Sequence, residues 1–431
     1  NFGQLIKAAL LLDAISRPKA NGIMWIYRAA ITFAAPFILL HAVLKMGGLT
    51  ARLGFVRPAR RGAHIWVHAA SNGEITSAKA TLQALLRRDP DRKILVTTNQ
   101  ITARDMIRGW GNDRIEAHLA PIDLRWITKM VLRNWSICAH IIVENEIWPN
   151  RLTVLSYAQV PVVIIGARLS ARSAARWQKL PNSLRNIYRT LSLVSPQDRD
   201  SGARFKALGA TNISAPNNLK EHYQRPVPHK DFAEFAQLYQ APFTVLGAST
   251  HTGEEKLILD AFDILHAEDP RWHLILAPRH PKRRDEVLSL IGRRFSVAQY
   301  SNWTRRTNTT QITLADTMGD MALWYDIADI CVVAGSFQPV GGHTPFEPLS
   351  HGCGVFHGPH VSNFTESYGA LNAVGGAKMV RSAEDLAHAI LTCRPYVMCD
   401  AAVPVLGRAQ DQEPFYTELE AHLKRAPKAA S

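Results

Sequence analysis

The sequence predicts an α/β protein of two domains, each built on a parallel sheet. Three observations carry this reading. At 431 residues the chain is too long for one ordinary hydrophobic core. Short β-branched runs alternate with stretches of helical spacing, which is the rhythm of βα units. That rhythm occurs twice, interrupted by a stretch rich in proline and asparagine that contains Ala215-Pro216-Asn217-Asn218 and Pro226-Val227-Pro228.

In chain order, residues 1–45 comprise an N-terminal extension and a nearly all-apolar run, residues 29–44, bracketed by Arg28 and Lys45. Its 16 residues fall short of the roughly 20 that a single membrane span needs. The expectation is a membrane-associated helix with Trp25, Tyr27 and Arg28 at the headgroup boundary; an ordinary buried helix is the alternative. Residues 46–215 are expected to form the N-terminal domain, with strands over 65–67, 94–98, 141–143 and 162–165 and an amphipathic helix over 78–88. Residues 216–232 read as the linker. Residues 233–410 form the second domain, with strands over 244–246, 273–277, 330–333 and 355–356, and residues 411–431 are a helix and tail.

The formal charge of +14 favours an anionic partner, whether nucleic acid, an acidic membrane surface or a phosphorylated substrate. No basic, aromatic-interleaved motif supports nucleic acid, which is set aside. Five cysteines (Cys138, Cys331, Cys353, Cys393, Cys399) are widely spread and never form a Cys-x-x-Cys pair, which argues against a disulfide framework or a zinc site and for a reducing cytoplasm. His64 and His68, about 13 Å apart on a strand, are too distant to share a metal and read as packing residues. No His-Glu-x-x-His, P-loop, nucleophile elbow or correctly placed Gly-x-Gly-x-x-Gly is present, so metalloprotease, nucleotide hydrolase, serine hydrolase and dinucleotide readings lose support.

Five loops carry candidate chemistry. The most informative is residues 335–364, where a glycine-bearing turn follows the apolar run 330–333 and aims backbone N–H groups at an anion such as phosphate. Within it Pro345 and Pro348 compete as first helical residue. In one arrangement Thr344 caps and Glu347 closes a capping box; in the other Glu347 keeps a free carboxylate suited to ribose hydroxyls, and Pro348 favours the second. Ser71-Asn72-Gly73-Glu74 follows the first strand: it is a capping box, or it places Glu74 as a base outside the carboxyl edge of a parallel sheet. In Gly247-Ala248-Ser249-Thr250-His251-Thr252-Gly253-Glu254-Glu255, Ser249 or Thr250 is expected to cap a helix whose acidic start complements the dipole. Ala277-Pro278-Arg279-His280-Pro281 holds a fork-shaped donor suited to phosphate or carboxylate. Asp316-Thr317-Met318-Gly319-Asp320 precedes a short apolar helix and is either an anion-facing turn or a plain helix start.

These loops, with Glu144-Asn145-Glu146-Ile147-Trp148-Pro149-Asn150, Ala167-Arg168-Leu169-Ser170, Asn218-Leu219-Lys220 and Gly341-Gly342-His343, resemble in order and spacing the 3-deoxy-D-manno-octulosonic acid (Kdo) transferases of Gram-negative bacteria, over roughly residues 24–376. The resemblance implies a glycosyltransferase-B fold: two Rossmann-like domains facing a cleft, acceptor on the first, nucleotide sugar on the second. It implies inverting transfer of Kdo from CMP-Kdo to the lipid A precursor at the cytoplasmic face of the inner membrane, with no metal or cofactor. By motif, Glu74 would be the general base. Arg279, His280, Met318, Gly319, Thr344 and Glu347 would line the donor site, with Lys220 and Asn363 as further donor contacts, and Glu146, Ser249 and Thr250 would orient groups in the cleft. The chain departs from the family pattern at Asn72 (usually Val), Asn145 (Thr), Gly166 (Asn), Asn217 (Gly) and Thr344 (Asn). Those departures leave open a related transferase with another sugar or acceptor, or a weakened paralogue that only binds glycolipid or nucleotide.

Overall fold

The computed structural model describes residues 27–29, 31–34, 48–180, 185–221, 223, 225–228, 232–239, 244–302 and 310–424. The chain divides into two compact units, one running to Leu219 and resuming at Gln412, the other spanning Lys220–Asp411.

In the first unit six strands form a wholly parallel sheet: β1 (His64–His68), β2 (Lys93–Thr98), β3 (Ile115–Leu119), β4 (Ile137–Val143), β5 (Val162–Ala167) and β6 (Leu193–Pro196), in the order β3-β2-β1-β4-β5-β6. The order reverses between β1 and β4, the switch point outside whose carboxyl ends such sheets bind ligands. All residues of β1 and β5 are buried, as expected for strands covered by helices on both faces. The helix Asn72–Arg88 presents Ile75, Ala78, Leu82, Leu85 and Leu86 to the sheet, the stripe that its 3.6-residue period dictates.

Of residues 411–431, read from sequence only as a helix and tail, the described ones from Gln412 onward return to this unit. The helix Glu413–Leu423 inserts Phe415, Tyr416, Leu419 and Leu423 into the same core, and its Glu420 pairs with Arg88 at 3.3 Å and Arg92 at 2.8 Å. Asn217 and Gln412, beside the two crossings between units, are joined by a 3.0 Å hydrogen bond. Leu419 is fully buried, so Leu419→Ala is expected to destabilise this unit by about 2–5 kcal/mol, measured by urea denaturation.

The second unit holds seven parallel strands, β7 (Thr244–Thr250), β8 (His273–Pro278), β9 (Val297–Gln299), β10 (Ile312–Leu314), β11 (Ile330–Val333), β12 (Gly354–His357) and β13 (Ala377–Met379), in the order β13-β12-β11-β7-β8-β10-β9. Its switch point lies between β7 and β11.

Of the apolar run 29–44, only residues 29 and 31–34 are described, so the expected membrane-associated helix lies for the most part outside the described residues. Within them Ile31 packs against Leu53, Ile122, Leu124 and Ile127. Among the described residues no single helix is long and apolar enough to cross a membrane; one pair bent by 93°, Ala383–Thr392 and Pro395–Gly407, meets that test only together, and Leu386, Ile390 and Met398 from it pack in the second unit's core.

Candidate functional site

In the first unit, the two strands flanking the switch point each deliver an acidic turn to the carboxyl edge. After β1, Ser71 caps the helix Asn72–Arg88, its hydroxyl accepting the Glu74 amide at 3.4 Å. The Glu74 side chain turns back, Oε2 accepting the Ala70 amide at 2.7 Å and Oε1 the Ser71 hydroxyl at 3.2 Å. Glu74 thus returns hydrogen bonds to the turn that caps its own helix. Burial raises Glu74 to about 7, against the Ala70 and Ser71 hydrogen bonds and with help from the nearby charges of Glu144 and Glu146. A carboxylate that titrates near neutrality is matched to general-base work.

After β4, Glu144 adopts φ 60°, rare for a residue with a side chain, and its amide donates to the Ile165 carbonyl at 3.0 Å. Glu146 Oε2 accepts the Trp148 indole N–H at 3.1 Å and lies 3.7 Å from His68 Nε2, too far for a hydrogen bond. Burial lowers His68 to about 4, so this contact is no ion pair at neutral pH. The facing His68 ring, which carries charge only at acid pH, and the Trp148 indole hydrogen bond hold Glu146 below the ordinary carboxylate value against its burial. Two neighbouring carboxylates are thus shifted in opposite directions, the pattern that separates a proton acceptor from a fixed anion. Both histidines are buried in the strand as packing residues, His68 with Nδ1 3.0 Å from the Thr97 carbonyl and His64 bonded through Nδ1 to the Gly62 and Trp135 carbonyls.

In the second unit the loops after β7 and β11 are laced together by a carboxylate. Glu254, fully buried, accepts the amides of His251 at 2.9 Å, Gly335 at 2.7 Å and Phe337 at 2.9 Å. Its neighbour Glu255 accepts Arg283 through both oxygens, at 2.6 and 3.2 Å, and the Thr250 hydroxyl at 2.7 Å. The acidic pair therefore anchors loops as well as facing the helix dipole. Neither Ser249 nor Thr250 is the N-cap, because β7 runs on through Thr250; the cap is Gly253 at φ 93°. Thr250 is fully buried, with its hydroxyl committed to Glu255, and Ser249 takes a φ of 57°.

The Glu254 clamp places His251 against His343, their rings stacked and their Nε2 atoms 3.0 Å apart. Burial lowers both pKa values, His343 to about 4, with Glu254 opposing the shift at His251 and Arg279 adding to it at each ring, and one ring N–H donates to the other. A methyl group on Gly335, at φ 69°, would meet His343 Cδ2 at 2.9 Å. The sequence motifs include both histidines without a role for either; His251 directly follows β7, whereas His343 lies ten residues beyond β11 in the glycine-bearing loop.

Arg279 and His280 leave β8 on an exposed turn, where the Arg279 amide donates to the Thr250 carbonyl at 3.0 Å. The Arg279 charge bears on His343, His251 and Glu347. Thr344 accepts the Phe346 amide at 3.3 Å and donates to the Lys220 carbonyl at 3.5 Å, while the Lys220 charge bears on His343. The structure thus gathers Arg279, His343, Thr344, Glu347 and Lys220. Neither proline arrangement holds as written: the helix is Phe346–His351 with Pro345 as N-cap, and Pro348 sits in its first turn, where a missing N–H costs nothing. Glu347 closes no box; burial raises it to about 7, against a Tyr325 hydrogen bond and the Arg279 charge.

Met318, 68% exposed, and Gly319, at φ 103°, lie on the turn after β10. Asn363 supports the glycine turn, its side-chain amide donating to the Val340 and Gly342 carbonyls at 3.4 and 3.3 Å and its backbone amide to Gly341 at 2.9 Å. Two departures from the family pattern have local partners: Asn72 accepts the Thr102 hydroxyl at 3.0 Å, and Gly166, at φ 56°, leaves room for Leu219.

Residues 47–222 match the family model described as 3-deoxy-D-manno-octulosonic-acid transferase (kdotransferase). The chain is 33% identical over 330 residues to a 3-deoxy-D-manno-octulosonic acid transferase of Haemophilus influenzae, covering 74% of this chain and 76% of that protein. It is 30% identical over 365 residues to the like-named protein of Bordetella pertussis, covering 82% and 83%. A putative UDP-N-acetylglucosamine 2-epimerase of Listeria monocytogenes superposes with a TM-score of 0.57 at 12% identity, covering 85% of this chain and 98% of that one, a likeness of fold that fits a glycosyltransferase-B-like architecture. With the expected motifs at the switch points of two parallel sheets and relatives of this identity over most of both chains, the chain belongs to the 3-deoxy-D-manno-octulosonic acid transferase family, a family of glycosyltransferases.

Proposed function

We propose that the protein transfers Kdo from CMP-Kdo to a sugar hydroxyl of the lipid A precursor, lipid IVA, with inversion at the anomeric carbon, at the cytoplasmic face of a Gram-negative inner membrane. The observation that carries this is Glu74, half-buried at the carboxyl edge of β1 and raised to about 7. In its ionised form Glu74 takes the proton of the acceptor hydroxyl as that oxygen attacks the anomeric carbon. The bond to the phosphate oxygen breaks and CMP departs with its electron pair. Arg279 offsets the phosphate charge, Thr344 and Glu347 take the nucleoside hydroxyls, and the Lys220 ammonium adds a further cation. Met318 and Gly319 flank the nucleotide, and His280 extends the Arg279 turn. Glu146 stays anionic and orients the acceptor.

The net charge of +14 and the apolar run at residues 29–44 fit an anionic glycolipid taken from a membrane surface. The deciding assay incubates the purified chain with CMP-Kdo and lipid IVA and counts added Kdo by mass. Product formation that disappears in Glu74→Ala supports the reading. CMP-Kdo binding without turnover in the parent protein, or full turnover in Glu74→Ala, removes it.

A further inference from the structure

The carboxylates of the first unit rest on a layer of buried polar groups that the transfer chemistry does not use. Asp123, 2% exposed, lies between β3 and the helix Arg125–Trp135. Its carboxylate accepts the leading amides of the helix Pro149–Tyr157, from Asn150 at 3.0 Å and Arg151 at 2.8 Å, and the Asn150 side chain donates back to the Asp123 carbonyl at 2.8 Å. Trp148, the N-cap residue, gives no side-chain cap, so Asp123 caps this helix from outside it. Asp123 also accepts the Tyr27 hydroxyl at 2.7 Å, and Arg28 Nε donates to Asn150 at 3.4 Å. Tyr27 and Arg28 lead directly into the apolar run 29–44.

What this clamp terminates gives it consequence. Five residues, Glu144 to Trp148, join β4 to the helix. One end is pinned by the Glu144 amide on Ile165, the other by Asp123. Trp148, the hydrogen-bond donor to Glu146, stands next to the clamp. Arg151, clamped through its own amide, is 2% exposed, with its guanidinium 4.6 Å from the Trp66 ring centre and 5.9 Å from that of Trp148. Its Nη2 donates to the Pro121 carbonyl at 3.4 Å, while Nε and Nη1 find no hydrogen-bond partner among the described residues, so ring faces and the charges of Asp123 and Glu146 do the rest of the holding.

We propose, building on the Glu74 reading, that Asp123 is a positioning residue for the carboxylate site, and that through Tyr27 the segment leading into the apolar N-terminal run sets where Glu144 and Glu146 stand against Glu74. The groups that face Glu74 are Glu144 and Glu146 from the β4 connection and Ala70 and Ser71 from its own turn; Glu146 is faced by His68, Trp148 and Arg151. Slackening the connection hydrates Glu74 and moves the two anions away, and both changes lower its pKa.

The test measures kcat and KM of the full chain with CMP-Kdo and lipid IVA across the neutral pH range, for Tyr27→Phe, Asp123→Asn and Glu74→Gln. Tyr27→Phe removes one O–H and is expected to lower the plateau kcat about tenfold at unchanged KM for CMP-Kdo, with the acid limb of the profile moved down by about half a pH unit or more. Asp123→Asn does the same or more; if it fails to fold, Tyr27→Phe decides. An acid limb left in place, with Glu74→Gln inactive, overturns this proposal alone. Turnover at the parental rate in Glu74→Gln overturns the general-base reading and the proposal with it.

Discussion

Replacing Glu74 by glutamine is expected to slow Kdo transfer by about 10²–10⁴-fold, the usual worth of a positioned general base. Glutamine keeps the volume and an oxygen to accept the Ala70 amide, so the turn that holds position 74 survives. What disappears is the carboxylate basicity needed to take a proton. The pH dependence follows in sign: as the proposed base Glu74 works when ionised, and burial raises it to about 7, so the parent rate is expected to rise with pH through about 7 and level off above it. In Glu74→Gln that limb is expected to vanish, leaving a low, flat residual rate. The stability effect runs the other way. Because the folded-state pKa lies above its unfolded value, the folded chain binds more protons between the two, and Glu74 stabilises less as pH rises through about 7. Removing the charge is then expected to leave the urea midpoint at pH 8 equal to or above the parent's. An inactive variant with an intact midpoint is the signature of lost chemistry, and an inactive variant with a fallen midpoint is not.

The elements that the sequence showed are those whose environment is uniform. Strands β1, β2, β4 and β5 at the centre of one sheet, and β7, β8, β11 and β12 in the other, are largely buried and read as short apolar runs. Those it did not show are edge or near-edge strands. β3 carries Glu116 and His118 among its apolar residues, and β9, β10 and β13 are three residues each, too short for any period to register. The site divides in the same way. Glu74, Arg279 and Glu347 were legible because each follows a strand in a local motif. Asp123 capping a helix 27 residues on, or Glu254 bonding amides 81 and 83 residues away, leaves no local trace, since those partners meet only through strand order. The mistaken caps at Ser249 and Thr250 have the same origin: residues of good capping type were absorbed by a strand that pairs one step further than its apolar run suggests.

Glu254→Ala is expected to be the most damaging single change to the second unit, costing about 3–5 kcal/mol. The side chain is fully buried and satisfies three backbone N–H groups, from His251, Gly335 and Phe337. Each buried donor left without a partner costs about 1–3 kcal/mol, against a total margin of about 5–15 kcal/mol for a typical native protein. The same deletion unties the loop after β7 from the loop after β11, and with them the His251–His343 pair that stands beside Arg279, Thr344 and Glu347. Donor affinity and stability should therefore fall together. Arg279→Ala supplies the contrast. Its side chain is exposed, so the unfolding free energy from urea denaturation is expected to stay within about 0.5 kcal/mol of the parent's. Losing a charge-assisted contact to phosphate is expected to weaken CMP-Kdo binding by about 10–100-fold in calorimetry. If Glu254→Ala instead keeps parental stability, the three amides have found other acceptors and the clamp is not what joins the two loops. If Arg279→Ala binds CMP-Kdo as the parent does, the phosphate is held elsewhere in the second unit, and the Lys220 and His343 neighbourhood becomes the place to look.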